Sequence, residues 1–207
     1  MAGVSLITGG KGMSDRCETD FYPTPSVSTR SLFDTGYIEL DNINTVLEPA
    51  CGLKHISNIV RDYLPKAQIT ESDLFNYGDK TIVSGVDFLK YKYTEKFDLV
   101  ITNPPYSTKL LMPFVQKSLE VSNKYVAMFL KITFLESSNR YKFFKENKNL
   151  KYVICFSNRQ PLYKNGIKTN ANNAIMYAWY IWDKDYIGLP TLDWIDNSKE
   201  VKNTKEY

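Results

Sequence analysis

Asn103, Pro104, Pro105 and Tyr106 follow directly on the run Phe97-Asp98-Leu99-Val100-Ile101-Thr102. That run reads as a buried strand, so an amide, a stiff turn and an aromatic ring fall together at a strand's carboxyl end. This set suits holding a flat ring that carries an amino group. The exocyclic amine of a purine such as adenine is a poor nucleophile, because its lone pair is delocalised into the ring. Acceptors placed on its N–H groups favour tetrahedral nitrogen and the positive charge that develops during attack. Asn103 offers one acceptor from its side chain and Pro104 another from its backbone carbonyl. Proline fixes φ and removes N–H donors, which stiffens the turn. Tyr106 offers a ring face for stacking. The competing reading is a strand that ends in an ordinary proline-rich turn.

Three further polar segments sit where strands should end. Glu48-Pro49-Ala50-Cys51-Gly52 follows the short strand Thr45-Val46-Leu47, and Glu71 and Asp73 follow a strand over 67–70. Asp87-Phe88 follows a weaker strand over 81–83. Ligands of open α/β sheets bind outside the carboxyl ends of the strands. Polar groups at successive strand ends, in this order, point to one shared crevice.

The intervening elements are of the kind such a crevice needs. Residues 26–33 read as a helix. Ile56, Ile59, Val60 and Tyr63 recur at helical spacing with Pro65 just beyond, and Leu111, Phe114, Val115 and Leu119 form another apolar stripe. Strands are expected over 125–130, 152–156 and 174–182, and a helix over 139–145. The alternation predicts an α/β fold: a Rossmann-like, mostly parallel sheet with helices on both faces. The last two of these strands lack a helix between them, which predicts an antiparallel edge strand. Residues 1–19 read as a flexible arm, 20–190 as a single domain and 191–207 as a polar tail.

Composition narrows the class. With 207 residues, 43% hydrophobic and 24% charged, the chain has the make-up of a soluble globular domain. No apolar run approaches the roughly 20 residues that span a bilayer, and the first residues lack the pattern of a signal peptide. Cys17, Cys51 and Cys155 are widely spaced and form no CxxC pair, which argues against both a disulfide framework and a zinc site. His55 is the only histidine, so no metal site is expected. A reducing, cytoplasmic setting follows. The net charge of +3 is compatible with nucleic acid without requiring it. Gly9-Gly10-Lys11-Gly12 fails the phosphate-loop pattern, which needs Gly where Ser5 stands and Ser or Thr where Gly12 stands.

Taken together, Asp20-Phe21-Tyr22-Pro23-Thr24-Pro25, Glu48-Pro49-Ala50-Cys51-Gly52, Ser72-Asp73-Leu74, Asp87-Phe88-Leu89 and Asn103-Pro104-Pro105-Tyr106 resemble the motifs of S-adenosylmethionine-dependent DNA adenine methyltransferases. The small phage and prophage type is the nearest match, over about residues 20–185. Phe134-Leu135-Glu136 with Arg140, and the aromatic run from Tyr177 to Trp182, are weaker parts of the same resemblance. The resemblance implies that Tyr22, Pro23, Thr24 and Pro25 lie against the methionine end of S-adenosylmethionine. It implies that Glu48, Pro49, Ala50, Cys51 and Gly52 wrap the cofactor. Asp73, with Glu71 as its rival, would engage the ribose hydroxyls, and Asp87 would accept from the cofactor's adenine amine with Phe88 beside it. Asn103, Pro104, Pro105 and Tyr106 would hold the target base, extruded from DNA. The resemblance also implies a bacterial or phage-infected host cell as the setting.

One position departs from the family pattern: Lys54 stands where a second glycine is usual. A side chain there either crowds the cofactor's carboxylate end or attracts it. The family's chemistry leaves two alternatives open. One is amino-group methylation of RNA or of protein glutamine; the other is a degenerate, non-catalytic fold that binds nucleic acid or a partner. DNA contacts are expected from Lys109 and from Arg159, Tyr163, Lys164 and Lys168, where cations flank an aromatic residue, with a solvated loop as the alternative. The oligomeric state stays open between a monomer and a weak dimer.

Overall fold

The computed structural model describes residues 23–160 and 175–197, and the backbone of 163–164 and 167–168. The expected arm over 1–19 and Tyr22 lie outside the described residues, as do the side chains of Tyr163, Lys164 and Lys168.

One sheet of eight strands organises the described chain. Its members are β1 (Thr45–Glu48), β2 (Gln68–Asp73), β3 (Val83–Ser84), β4 (Phe97–Thr102), β5 (Ser122–Lys131), β6 (Leu150–Phe156), β9 (Tyr177–Asp183) and β10 (Thr191–Ile195). The remaining strands, β7 (Tyr163–Lys164) and β8 (Ile167–Lys168), form a separate two-stranded antiparallel hairpin. The sheet order is β10-β6-β9-β5-β4-β1-β2-β3. All neighbours pair in parallel except β9, which runs antiparallel to both β5 and β6. The fold is therefore a mostly parallel, Rossmann-like α/β sheet.

Two expectations need correction. The antiparallel strand is interior, not at an edge: β9 lies between β5 and β6, and every one of its residues is buried. A strand covered on both faces reads as a continuous apolar run instead of an alternating one. Tyr-Ala-Trp-Tyr-Ile-Trp has that character. Thr191–Ile195, expected in the polar tail, forms the edge strand β10 in parallel register with β6. Its exposed Leu192 and Trp194 and its central Asp193 gave no clean alternation for the sequence to reveal.

Among the described residues four α-helices complete the frame: α1 (Ser26–Asp34), α2 (His55–Tyr63), α3 (Leu111–Val121) and α4 (Tyr141–Glu146). α1 packs on α2 through the Phe33 and Tyr63 rings, 5.0 Å apart, and through the Arg30–Asp62 ion pair at 2.7 Å. Trp179 Nε1 donates to the Ser28 carbonyl at 2.8 Å, which ties α1 to β9. In α3 the stripe Phe114, Val115 and Leu119 is buried, as its spacing predicts.

The chain order reverses direction at β1. From β1 it proceeds outward to β2 and β3, then returns to β4 and β5 on the other side. Parallel sheets open a crevice at such a reversal, beyond the carboxyl ends of the two flanking strands. The β1–β4 register pairs Leu47 with Val100, so Glu48 and Asn103 leave the sheet on either side of that crevice.

Candidate active site

A cleft of about 680 Å3 opens at this reversal. That volume lies within the range of small-molecule sites. Pro23 and Thr24, Glu48 to Cys51, Asp73, Asp87 and Phe88, and Asn103 and Pro105 all line it. Residues read from five separate segments of the sequence thus line one cleft. Pro25, Gly52, Pro104 and Tyr106 stand behind its wall and do not line it. Lys109 and Arg159 are exposed and also lie outside it.

The acidic half is built from internal hydrogen bonds. Glu48 is buried, and its Oε2 accepts the Ser57 N–H at 2.9 Å. Burial pushes its carboxyl well above the usual range, with the neighbouring Glu71 adding to the effect. Glu71 sits directly across the β1–β2 ladder from Glu48. Burial pulls Glu71 upward too, but Arg61, bonded at 2.6 and 2.9 Å, and the Ser57 hydroxyl outweigh it, so its carboxyl stays below the usual range. Ser57 therefore serves both acids, Glu48 from its backbone and Glu71 from its side chain. Of the two acids of β2, Asp73 lines the cleft and Glu71 does not. Its oxygens accept the N–H groups of Gly52 and Phe75, each at 2.9 Å. Gly52 has φ +51°, a conformation that favours glycine and lets its N–H reach Asp73. Burial raises the Asp73 carboxyl, against those two bonds. Asp87, at the rim, accepts from Lys90 Nζ at 2.9 Å, and this bond and charge hold its carboxyl below the usual range.

The sequence reading missed an apolar part of the wall. Leu74, Phe75 and Tyr77, from the β2–β3 loop, and Leu110 and Phe114, from the start of α3, complete the cleft. Leu74 and Phe75 are 52% and 39% exposed. Two adjacent large apolar residues directly after the polar end of a strand were the available signal. His55 also lines the cleft, and burial lowers its pKa.

Lys54, the departure from the family pattern, is held outside the cleft. Its φ is +64°, the left-handed conformation in which a glycine is usual and a side chain costs about 1–2 kcal/mol. The side chain does not enter the cleft. Its Nζ lies 3.7 Å from Glu71 and 3.6 Å from Asp79 and hydrogen-bonds the Thr81 hydroxyl, fastening the β2–β3 loop to the start of α2.

On the opposite side, Asn103 is half-buried at the end of β4. Its Nδ2 donates to Thr24 Oγ1 at 2.9 Å. The Tyr106 hydroxyl lies within bonding distance of Asn103 Oδ1 and, at 2.8 Å, of the Phe129 carbonyl. The expectation of Tyr106 as an open stacking platform is not met. Its ring is 8% exposed, meets Tyr177 edge-on at 5.8 Å and carries Lys131 Nζ 4.9 Å above its centroid. A buried phenol seeks an acceptor for its hydroxyl, and two acceptors inside the fold draw this one inward. Pro104 is likewise buried, so Pro105, Ser107 and Leu110 form the lip beside Asn103.

This donor set suits S-adenosylmethionine. The cleft offers a rim carboxylate for an amino group, a deeper carboxylate for hydroxyls and apolar walls for a flat ring. Among the described residues, no group of three metal-ligating side chains stands together and no helix is long and apolar enough to cross a membrane.

Comparison with solved structures returns the same fold. A Listeria monocytogenes protein, proposed to be a class I S-adenosylmethionine-dependent methyltransferase, superposes with a TM-score of 0.59 at 16% identity, over 87% of this chain and 68% of that one. The methyltransferase subunit of a type I restriction-modification system from Streptococcus thermophilus gives 0.60 at 14% identity, over 80% of this chain and 45% of that one. A proposed RNA methyltransferase from Pyrococcus horikoshii gives 0.57 at 15% identity, over 80% and 87%. The chain thus shares its fold with these methyltransferases. It spans less than half of the restriction-modification subunit. No family model matches the sequence, and neither does any curated protein.

Proposed function

We propose that this protein transfers a methyl group from S-adenosylmethionine to the exocyclic amine of adenine in DNA. The observation that carries this reading is the position of Asn103: its amide stands at the end of β4, in the same cleft as Glu48, Asp73 and Asp87. When bound, S-adenosylmethionine supplies a methyl group made electrophilic by its sulfonium. Asp87 would hold the cofactor's adenine amine, Asp73 its ribose hydroxyls, and Pro23 and Pro49 to Cys51 its remaining length. Phe88, Leu74 and Phe75 would flank its ring.

Asn103 Oδ1 accepts from an N–H of the incoming amine; Pro104, expected to give a second acceptor, is buried behind the wall of the cleft and is not assigned that role. The Asn103 acceptor favours the tetrahedral nitrogen that forms as the amine's lone pair bonds to carbon. The methylated amine then loses a proton to water, so the product is neutral, and the cofactor, its methyl–sulfur bond broken, would leave as a neutral thioether. Most of the acceleration comes from placing the amine and relieving its conjugation, which needs no covalent enzyme intermediate. Because Tyr106 is covered, the extruded base would rest against Pro105, Ser107 and Leu110. Lys109, at the adjoining turn, and Arg159 are the described cations assigned to the DNA backbone.

The restriction-modification subunit among the structural neighbours supports DNA as substrate. The side chain of Lys54, turned out of the cleft, favours a cofactor-binding protein over a degenerate one. Nucleoside mass spectrometry after incubation with DNA, RNA and protein in parallel tests the reading. N6-methyladenine in the DNA is expected. Methyl transfer confined to RNA or to glutamine would replace DNA as substrate, and no cofactor binding by calorimetry would return the degenerate reading.

A further inference from the structure

We propose that Thr24 is a positioning residue whose hydroxyl sets the plane of the Asn103 amide; this rests on the reading of Asn103 as the amine's acceptor. The resemblance assigned Thr24 to the cofactor; its hydroxyl also reaches Asn103. Thr24 is 3% exposed, and its Oγ1 accepts from Asn103 Nδ2 at 2.9 Å, across 79 residues of sequence.

The backbone alone does not hold this amide. Two prolines fix the turn after Asn103, yet the terminal torsion of an asparagine is broad and roughly two-fold. A half-turn about it would present NH2 to the incoming amine, donor against donor. With Nδ2 on Thr24, Oδ1 lies at the other corner of the amide, where the Tyr106 hydroxyl reaches it. An amide oxygen accepts at two lone pairs, so the Tyr106 contact is compatible with a second donor.

Thr24 is itself stiffly mounted. It lies between Pro23 and Pro25, and Pro25, at φ −55° and ψ 134°, forms the N-cap of α1. A residue preceding proline is confined to extended conformations. The two proline-bound segments, Pro-Thr-Pro and Asn-Pro-Pro, therefore meet through this hydrogen bond. Because Pro23 and Thr24 line the same cleft as the carboxylates, the bond also joins the proposed cofactor wall to the proposed amine site.

The test compares Thr24→Val, which keeps the shape and removes the hydroxyl, with Thr24→Ser, which keeps the hydroxyl. Thermal melting checks that both fold. The first readout is hydrogen exchange of the Asn103 side-chain amide, followed by 15N NMR and assigned through Asn103→Asp. It should quicken by roughly fivefold or more in the valine variant and stay near the parent's rate in the serine variant. The second readout is turnover on adenine-containing DNA, which should fall about tenfold to a hundredfold in the valine variant while the cofactor's Kd changes less than about threefold. The serine variant should restore turnover.

Unchanged amide exchange in Thr24→Val would overturn the proposal, as would turnover equal to the parent's. A cofactor affinity that falls in step with turnover would overturn it too, because Thr24 would then serve the cofactor directly. A parent that methylates no substrate defeats the functional reading instead, and the amide exchange still decides whether Thr24 holds Asn103.

Discussion

The two sides of the cleft are held in different ways. On the β1–β2 side, Glu48 and Asp73 are fixed by backbone N–H groups of Ser57, Gly52 and Phe75. On the β4 side, the Asn103 amide is held by two hydroxyls, from Thr24 and Tyr106. Backbone donors come with the secondary structure and survive most substitutions. Hydroxyl contacts depend on single side chains, one of them, Thr24, from a distant segment. The acidic side should therefore resist change as a scaffold does, while the amide side should lose function without losing the fold.

Asn103→Ala gives the sharpest contrast. Removing one preorganised acceptor typically costs on the order of 10²–10³ in turnover. Methyl transfer should drop by that factor or to below detection, with cofactor affinity and melting temperature near the parent's; activity equal to the parent's would erase the distinction between the two sides. Glu48→Ala should do the reverse. It leaves the buried Ser57 N–H without its acceptor and opens a hole, so denaturant titration should show a loss of about 2–3 kcal/mol.

Glu48 also gives a pH signature. Burial raises its folded-state pKa, so the folded protein keeps this proton where the unfolded chain has released it. Its contribution is fully present below the ordinary carboxyl value and is lost as pH rises toward the raised one. Glu48→Gln should flatten this part of the stability profile, and an unchanged slope would mean that Glu48 is ionised in the fold.

Asp87→Ala should weaken cofactor binding by about tenfold, roughly 1.4 kcal/mol, in calorimetry. Its half-buried place at the rim predicts only a small change in stability. Lys54→Gly should have the smallest effect. Relief of the left-handed strain, about 1 kcal/mol, opposes loss of the contacts to Glu71, Asp79 and Thr81, so stability should shift by less than about 1 kcal/mol. A large loss of cofactor affinity in that variant would show that the β2–β3 loop depends on Lys54.

Much of this arrangement was legible in the sequence because it is local. β1, β4 and the stripe of α3 announce themselves by apolar content and spacing, and the polar residues just after each strand then fall at one end of the sheet. What was not legible depends on partners far along the chain. The interior place of β9 is set by pairing with β5 and β6, and β10 is a strand only because β6 offers an edge. The inward turn of Tyr106 depends on the Phe129 carbonyl, which no spacing around the Asn-Pro-Pro-Tyr turn encodes. Lys54 was flagged as an anomaly, yet its direction was decided by Asp79 and Thr81, beyond the motif that flagged it.

Ser57 links the first turn of α2 to both β1 and β2, giving its amide to one acid and its hydroxyl to the other. Positions 57 and 71 are therefore coupled through a side chain, whereas position 48 draws only on main chain and is free to keep its acid whatever residue stands at 57.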